Sequence, residues 1–272
     1  MRILVFGDVV GRSGRRELCE ALPHLRRELA VDFVIVNGEN AAGGFGITPK
    51  ICDQFFAAGA NVVTTGNHAW DQKEIIPHFD KEKRLLRPHN YPEGTPGTGA
   101  GLYEDNSGRK VVVLHFMGLL FMPSLDDPFT GIDRALLNTK IGGEISAIIV
   151  DFHGEATSEK VAMGHMLDGR VSAVIGTHSH IPTADHQILP GGTGYITDLG
   201  MCGDYDSVIG MKKEASIARF RKKVPVPRLE AAQGEATLCG VVIETDDDTG
   251  LAKNITPLRR GGRLEATPPF CS

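Results

Sequence analysis

An α/β layered fold with a largely parallel first sheet is what this chain of 272 residues predicts, on three observations. Between residues 3 and 65 short branched apolar runs alternate with segments of helical period, in the order strand, helix, strand, helix, strand. Each apolar run empties into a small polar cluster, as buried strands do where they meet their loops. The chain is also long enough to enclose a large core as one domain, 1–272, which is the organisation we expect.

Ile3-Leu4-Val5-Phe6 is the first strand, ending in Gly7-Asp8. Leu18, Leu22, Leu25 and Leu29 then recur at helical spacing, with Pro23 as a point where that helix would kink. Phe33-Val34-Ile35-Val36 is the second strand, and Thr48-Pro49 starts a helix whose apolar face is Ile51, Phe55 and Phe56. Val62-Val63-Thr64-Thr65 is the third strand. Residues 87–101, rich in Pro, Gly, Asn and Thr, predict a surface loop. Residues 111–116 resume strand character, and 118–137, interrupted by Pro123, Pro128 and Gly131, predict an irregular loop over the core. Residues 148–152 and 171–175 are two further strands with a helix between them from about Ser158 to Leu167. Residues 204–235, carrying Arg219-Phe220-Arg221-Lys222-Lys223 and Val224-Pro225-Val226-Pro227, read as a lid-like or interface excursion. The remainder predicts an antiparallel hairpin turning at Asp246-Asp247-Asp248-Thr249-Gly250.

Composition narrows the function. A net charge of −5 and a pI near 6.1 argue against a general nucleic-acid surface. No apolar run approaches the roughly 20 residues that cross a bilayer, and Met1-Arg2 running into Ile3-Leu4-Val5-Phe6 does not resemble a signal peptide. Five scattered cysteines without CxxC spacing suggest neither a disulfide framework nor a zinc knuckle, so a cytoplasmic protein is expected. Apolar material at Leu119-Leu120-Phe121-Met122 and Val224-Pro225-Val226 needs cover, from the core or from a second copy in a homo-oligomer.

The polar clusters at the strand ends carry the chemistry. They are Gly7-Asp8, Gly38-Glu39-Asn40, Gly66-Asn67-His68, His153 and Gly176-Thr177-His178-Ser179-His180. Asp8 and Glu39 offer charge, Asn40 and Asn67 offer amide oxygens, and His153, His178 and His180 offer nitrogens, the mixed set that Mn, Fe and Zn accept. Seven ligands exceed one ordinary site. A carboxylate such as Glu39 can bridge two ions about 3.5–4 Å apart, between which a hydroxide is available at neutral pH. His68, beside Asn67, is then placed to protonate the departing oxygen. Taken singly, Asp8 and Asn67 can equally cap helices, Glu39-Asn40 can form a turn, and His153 can be a structural histidine. Their joint occurrence in one chain order is what points to a metal pair.

That order resembles the calcineurin-like metallophosphoesterase superfamily. Gly7-Asp8-Val9-Val10-Gly11, Asn37-Gly38-Glu39-Asn40-Ala41 and Tyr205-Asp206-Ser207-Val208-Ile209-Gly210-Met211 resemble its bacterial YmdB-like branch, a likeness running from residue 1 to about residue 260. The resemblance implies a metallophosphoesterase-type β-sandwich of two mixed sheets flanked by helices. It also implies two divalent or trivalent ions, Fe or Mn first and Mg or Zn next, and hydrolysis of a small phosphodiester such as a cyclic nucleotide. Carried over by motif, Asp8, Glu39, Asn40 and His180 would hold one ion and Glu39, Asn67, His153 and His178 the other, with His68 catalytic. Two departures from the broad superfamily, Asp8-Val9-Val10 for Asp-x-His and Gly38-Glu39 for Gly-Asp, agree with that branch, Asn40 filling the place of the missing histidine. The alternatives are a phosphomonoesterase, such as a nucleotidase or protein phosphatase, and a slow regulatory protein that binds metal and nucleotide.

Overall fold

A computed structural model describes residues 1–222 and 228–267. In chain order it contains β1 (Arg2–Phe6), β2 (Asp8–Val9), α1 (Gly11–Glu28), β3 (Phe33–Asn37), α2 (Pro49–Ala58), β4 (Val62–Thr64), α3 (Ile76–Lys81) and β5 (Leu85–Leu86). Then come β6 (Ala100–Glu104), β7 (Lys110–Met117), α4 (Pro128–Ala135), β8 (Ile145–His153), α5 (Thr157–Met166) and β9 (Ala173–Thr177). The last are β10 (Gln187–Ile188), β11 (Gly194–Ile196), β12 (Met201–Asp204), α6 (Lys213–Lys222), β13 (Ala236–Thr245) and β14 (Ala252–Arg260).

Two mixed sheets result. The first runs β2-β12-β13-β1-β3-β4-β5, with β14 also on β13. Its β1, β3, β4 and β5 are mutually parallel, as the alternating pattern requires, while β13 joins β1, β12 and β14 antiparallel. The second runs β10-β11-β9-β8-β7-β6, parallel at its centre and closed by an antiparallel strand at each edge.

The period of two along each strand divides the core into three layers of packing. Ile3, Val5, Phe33 and Ile35 point between the sheets and meet Val111, Val113, Ile149 and Ile175. Leu4, Phe6, Val34 and Val36 point the other way, onto Leu18, Leu22 and Leu25 of α1 and Ile51 and Phe55 of α2. On the far side Leu114, Phe116, Val150 and Phe152 cover Ile132 of α4 and Met163 of α5. Each fully buried Leu or Phe of this kind contributes roughly 1.5–3 kcal/mol.

One local expectation is corrected, and two others take a definite form. Helix α1 carries Pro23 within one continuous element. Residues 118–137 are not wholly irregular, because Asp127 caps α4 by accepting from the amides of Phe129 (3.0 Å) and Thr130 (3.2 Å), and Pro128 starts that helix instead of breaking it. The loop after β5 is built around a buried side chain, with the Arg87 guanidinium donating to the carbonyls of Pro88 (2.7 Å), Thr95 (3.1 Å), Pro96 (3.1 Å) and Gly97 (3.2 Å). The Val224–Pro227 part of the excursion lies outside the described residues, as does Lys223. Among the described residues no helix is long and apolar enough to cross a membrane.

Candidate metal centre

The strand ends of both sheets open toward one another, and their polar residues meet there. Asp8 comes from β2, Glu39 and Asn40 follow β3, Asn67 and His68 follow β4, His153 ends β8, and His178 and His180 follow β9. The inner nitrogen of His153, Nε2, lies 2.6 Å from Glu39 Oε2, 3.1 Å from Asn67 Oδ1 and 3.1 Å from His178 Nδ1. His180 Nε2 lies 3.2 Å from Asn40 Oδ1. Asp8 stands behind His153, its Oδ1 3.7 Å from Nδ1, and its Oδ2 accepts the His178 amide at 3.1 Å. All seven ligand candidates of the sequence are therefore brought to one place, Asp8, Glu39 and His153 fully buried.

The outer contacts of the three imidazoles fix where their lone pairs point. Thr177 Oγ1 donates to Asp151 Oδ1 (2.8 Å), so it can only accept from His153 Nδ1 (2.9 Å), which leaves Nε2 without a proton. His180 Nδ1 donates to the Ile209 carbonyl (2.8 Å), again leaving Nε2 bare. His178 Nε2 pairs with Glu155 Oε2 (3.2 Å), leaving Nδ1. Asn40 donates its amide to the Gly44 carbonyl (3.0 Å) and so turns its oxygen inward. The short approaches between His153, His178 and Glu39 are thus acceptor against acceptor, which is repulsive unless a cation lies among them.

The carboxylates give the same result. Asp8 Oδ1 and Glu39 Oε2 are buried with no hydrogen-bond donor, and an unpaired buried carboxylate is costly. Burial, then the proximity of the Glu39 charge, holds Asp8 well above the usual carboxylate range, and burial raises Glu39. Burial pushes the imidazoles the other way: His153 far down, His178 to about 3, with neighbouring His153 adding to the effect, and His180 down as well. Neutral nitrogens and starved oxygens are the donor set a cation completes. A cradle is present too, since a Cβ on Gly66 would strike Glu39 Oε2 and His153 Nε2. The residues fit metal ions, and Glu39, His153 and His178 form a compact ligand group with atoms within 4.8 Å of one another.

The fold holds this geometry at a cost. His178 and His180 take left-handed backbone angles, φ 102° and 65°, each worth roughly 1–3 kcal/mol of strain. Asp198 offsets it by accepting from the amides of Ser179 (2.9 Å) and Gly200 (2.9 Å) while paired with buried Lys160 (2.8 Å). His68 lies at the edge, half-buried, its amide donating to Glu39 Oε1 (3.2 Å) and its Nδ1 paired with Asp71 Oδ2 (2.8 Å).

Sequence reasoning did not find the supporting residues Asp151, Thr177, Asp198, Lys160, Glu155 and Asp71. Thr177 lies inside the quoted Gly-Thr-His-Ser-His cluster and Asp151 two residues before His153, but a polar side chain in a strand carries no mark of which face it serves.

Residues 4–258 match the family described as YmdB-like protein. A 2',3'-cyclic-nucleotide 2'-phosphodiesterase of Bacillus subtilis (strain 168) is 48% identical over 255 residues, 94% of this chain and 95% of that one. Among solved structures, a hypothetical protein from Thermus thermophilus superposes with a TM-score of 0.90 at 42% identity, over 97% of this chain and 100% of the other. A novel phosphatase from Mycoplasma pneumoniae gives 0.89 at 34% identity, over 96% of this chain and 93% of the other.

Proposed function

The chain belongs to the YmdB-like protein family, and we propose that it is a binuclear metal-dependent phosphodiesterase acting on a small diester, with 2',3'-cyclic nucleotides as the substrate class. Its two mixed sheets flanked by helices form a metallophosphoesterase-type sandwich. One observation carries the metal part of the proposal: three imidazoles whose outer nitrogens are occupied, with bare His153 Nε2 set 2.6 Å from a Glu39 oxygen that lacks a donor and Asp8 beside them with a second such oxygen. The 48% identical relative carries the diester part.

Asp8, Glu39, Asn40 and His180 would hold one ion, and Glu39, Asn67, His153 and His178 the other, Fe or Mn being the metals this donor set suits best. When bound, such a pair supplies an acidified water and neutralises charge gathering on the phosphate. The chain does the rest. Thr177, Ile209 and Glu155 keep the three imidazoles in the ligating tautomer. Asp71 steadies His68 through Nδ1, which leaves Nε2 as the atom that gives a proton to the departing alkoxide. Within the expected excursion, the Ile209 carbonyl meets His180 at the edge of the centre (2.8 Å).

The test is a substrate panel of 2',3'-cyclic AMP, 3',5'-cyclic AMP, bis-p-nitrophenyl phosphate and p-nitrophenyl phosphate, run with metal analysis before and after chelation. We expect diesters to be preferred, activity to vanish on chelation and Mn²⁺ or Fe²⁺ to restore it. His68→Ala should retain its ions while kcat drops roughly 10²–10⁴-fold. A preference for the monoester, or undiminished activity in the stripped protein, would reject the proposal.

A further inference from the structure

The loop after Asn40 carries one large side chain among glycines. Gly43, Gly44 and Gly46 all take positive φ (67°, 101° and 74°), which lets the backbone fold tightly around Phe45. The loop is pinned at three points, by Asn40 Nδ2 to the Gly44 carbonyl (3.0 Å), by Gln72 Nε2 to the Phe45 carbonyl (2.7 Å) and by the Ala42 amide to the Gly46 carbonyl (2.8 Å). Phe45 is therefore positioned by the same asparagine that faces the metal centre. Its ring lies 5.3 Å from that of His68, nearly edge-on at 76°, and it remains partly exposed. A ring placed only to stabilise the core would be buried, as Phe55 and Phe79 are.

Over the Phe45 ring stands the Arg228 guanidinium, 5.4 Å from the centroid. Elsewhere in the molecule Arg84 lies over Phe56 at 3.8 Å, held there by both oxygens of Glu82 (2.9 and 2.6 Å). The contrast is informative. Arg228 is exposed, sits farther out and has no carboxylate partner among the described residues, so no ion pair fixes it against the ring. An aromatic face and a loose guanidinium plane together form the pair of surfaces that grips a flat heterocycle. They stand beside the residue that faces the leaving group.

We propose that Phe45 and Arg228 form the subsite for the base of a nucleotide substrate, the heterocycle packing on Phe45 while the Arg228 guanidinium closes over it. This rests on the phosphodiesterase reading and adds to it the residues that distinguish a nucleotide from a bare diester. Base stacking on an aromatic side chain corresponds to about 5- to 150-fold in affinity by alanine substitution.

Two substrates separate base recognition from chemistry: 2',3'-cyclic AMP, and 1,2-cyclic glycerol phosphate, which has the same five-membered cyclic diester without a base. The readout is the ratio of their kcat/KM values in the metal-loaded protein. In Phe45→Ala the ratio should fall about tenfold, mostly through KM for 2',3'-cyclic AMP, and Phe45→Trp should restore it. Arg228→Ala, at an exposed position that places no demand on folding, should lower the ratio about threefold. A wild-type ratio in both alanine variants overturns the subsite, including the case where Phe45→Ala weakens both substrates equally, which would assign Phe45 to loop support alone. Wild-type protein inert toward both substrates removes the phosphodiesterase reading and the subsite together.

Discussion

Two sets of buried acid surround His153, and they are treated in opposite ways. Asp151 is saturated: Oδ1 accepts from Thr177 Oγ1 (2.8 Å), and Oδ2 accepts from Thr64 Oγ1 (2.6 Å) and Asn37 Nδ2 (3.3 Å). Asp8 and Glu39, equally buried, each have one oxygen with a single backbone amide and one with no donor. The fold evidently has hydroxyls and amides available at this depth. It places them on the acid that orients His153 and withholds them from Asp8 and Glu39. A satisfied buried carboxylate stabilises the apoprotein, whereas a starved one destabilises it until a cation arrives.

The sharpest break of that contrast is to neutralise one member of each set. Glu39→Gln should lower kcat/KM on the order of 10³-fold, about 4 kcal/mol of transition-state stabilisation, with loss of bound metal. Yet the chelated variant should unfold in urea at the same or higher concentration than chelated wild type, because a buried charge has been removed. Asp151→Asn should show the reverse: a stability loss of about 1–3 kcal/mol in the metal-free protein and only a 10- to 100-fold weakening of metal affinity by calorimetry. If both variants lose apoprotein stability alike, the two sets do not differ in the way described.

A smaller effect sharpens the contrast through pH. Burial holds the imidazoles below their ordinary range, so protons compete with a metal for them less than they would for free histidines. Asp8 and Glu39 are raised, so the proton in competition with the metal sits on a carboxylate. Metal affinity should therefore keep rising with pH above about 4–4.5, where an ordinary carboxylate would already be ionised, and titrations in buffers of different ionisation enthalpy should register the proton released. An affinity that is flat above that range would place the competing proton elsewhere.

Much of this was legible in the residues. Strand runs such as Ile3 to Phe6 and Phe33 to Val36 declare themselves because both faces are covered, and the groups they deliver at their ends, Asp8 and Glu39-Asn40, stand out against them. Helix α4 was not legible because Pro128 and Gly131 argue for a break when the Asp127 cap is not weighed with them. The two-residue strands β2 and β5 have no period to detect and exist only because longer neighbours pair with them. The ligating tautomers were also beyond reach, since they depend on Thr177, Ile209 and Glu155, chosen by tertiary contact instead of spacing.

The position of β13 has a consequence for how the molecule is made. It lies between β1 and β12, pairing Arg2 with Glu244 and Gly203 with Thr237, so β1 waits for a strand far along the chain before its free edge is covered. Long-range pairings of that kind slow folding and leave a strand edge open on the growing chain. His178 and His180 also emerge late, from beyond β9. On the ribosome, then, a nascent chain that has not yet released His178 and His180 lacks part of the proposed claw, and metal loading would follow their emergence.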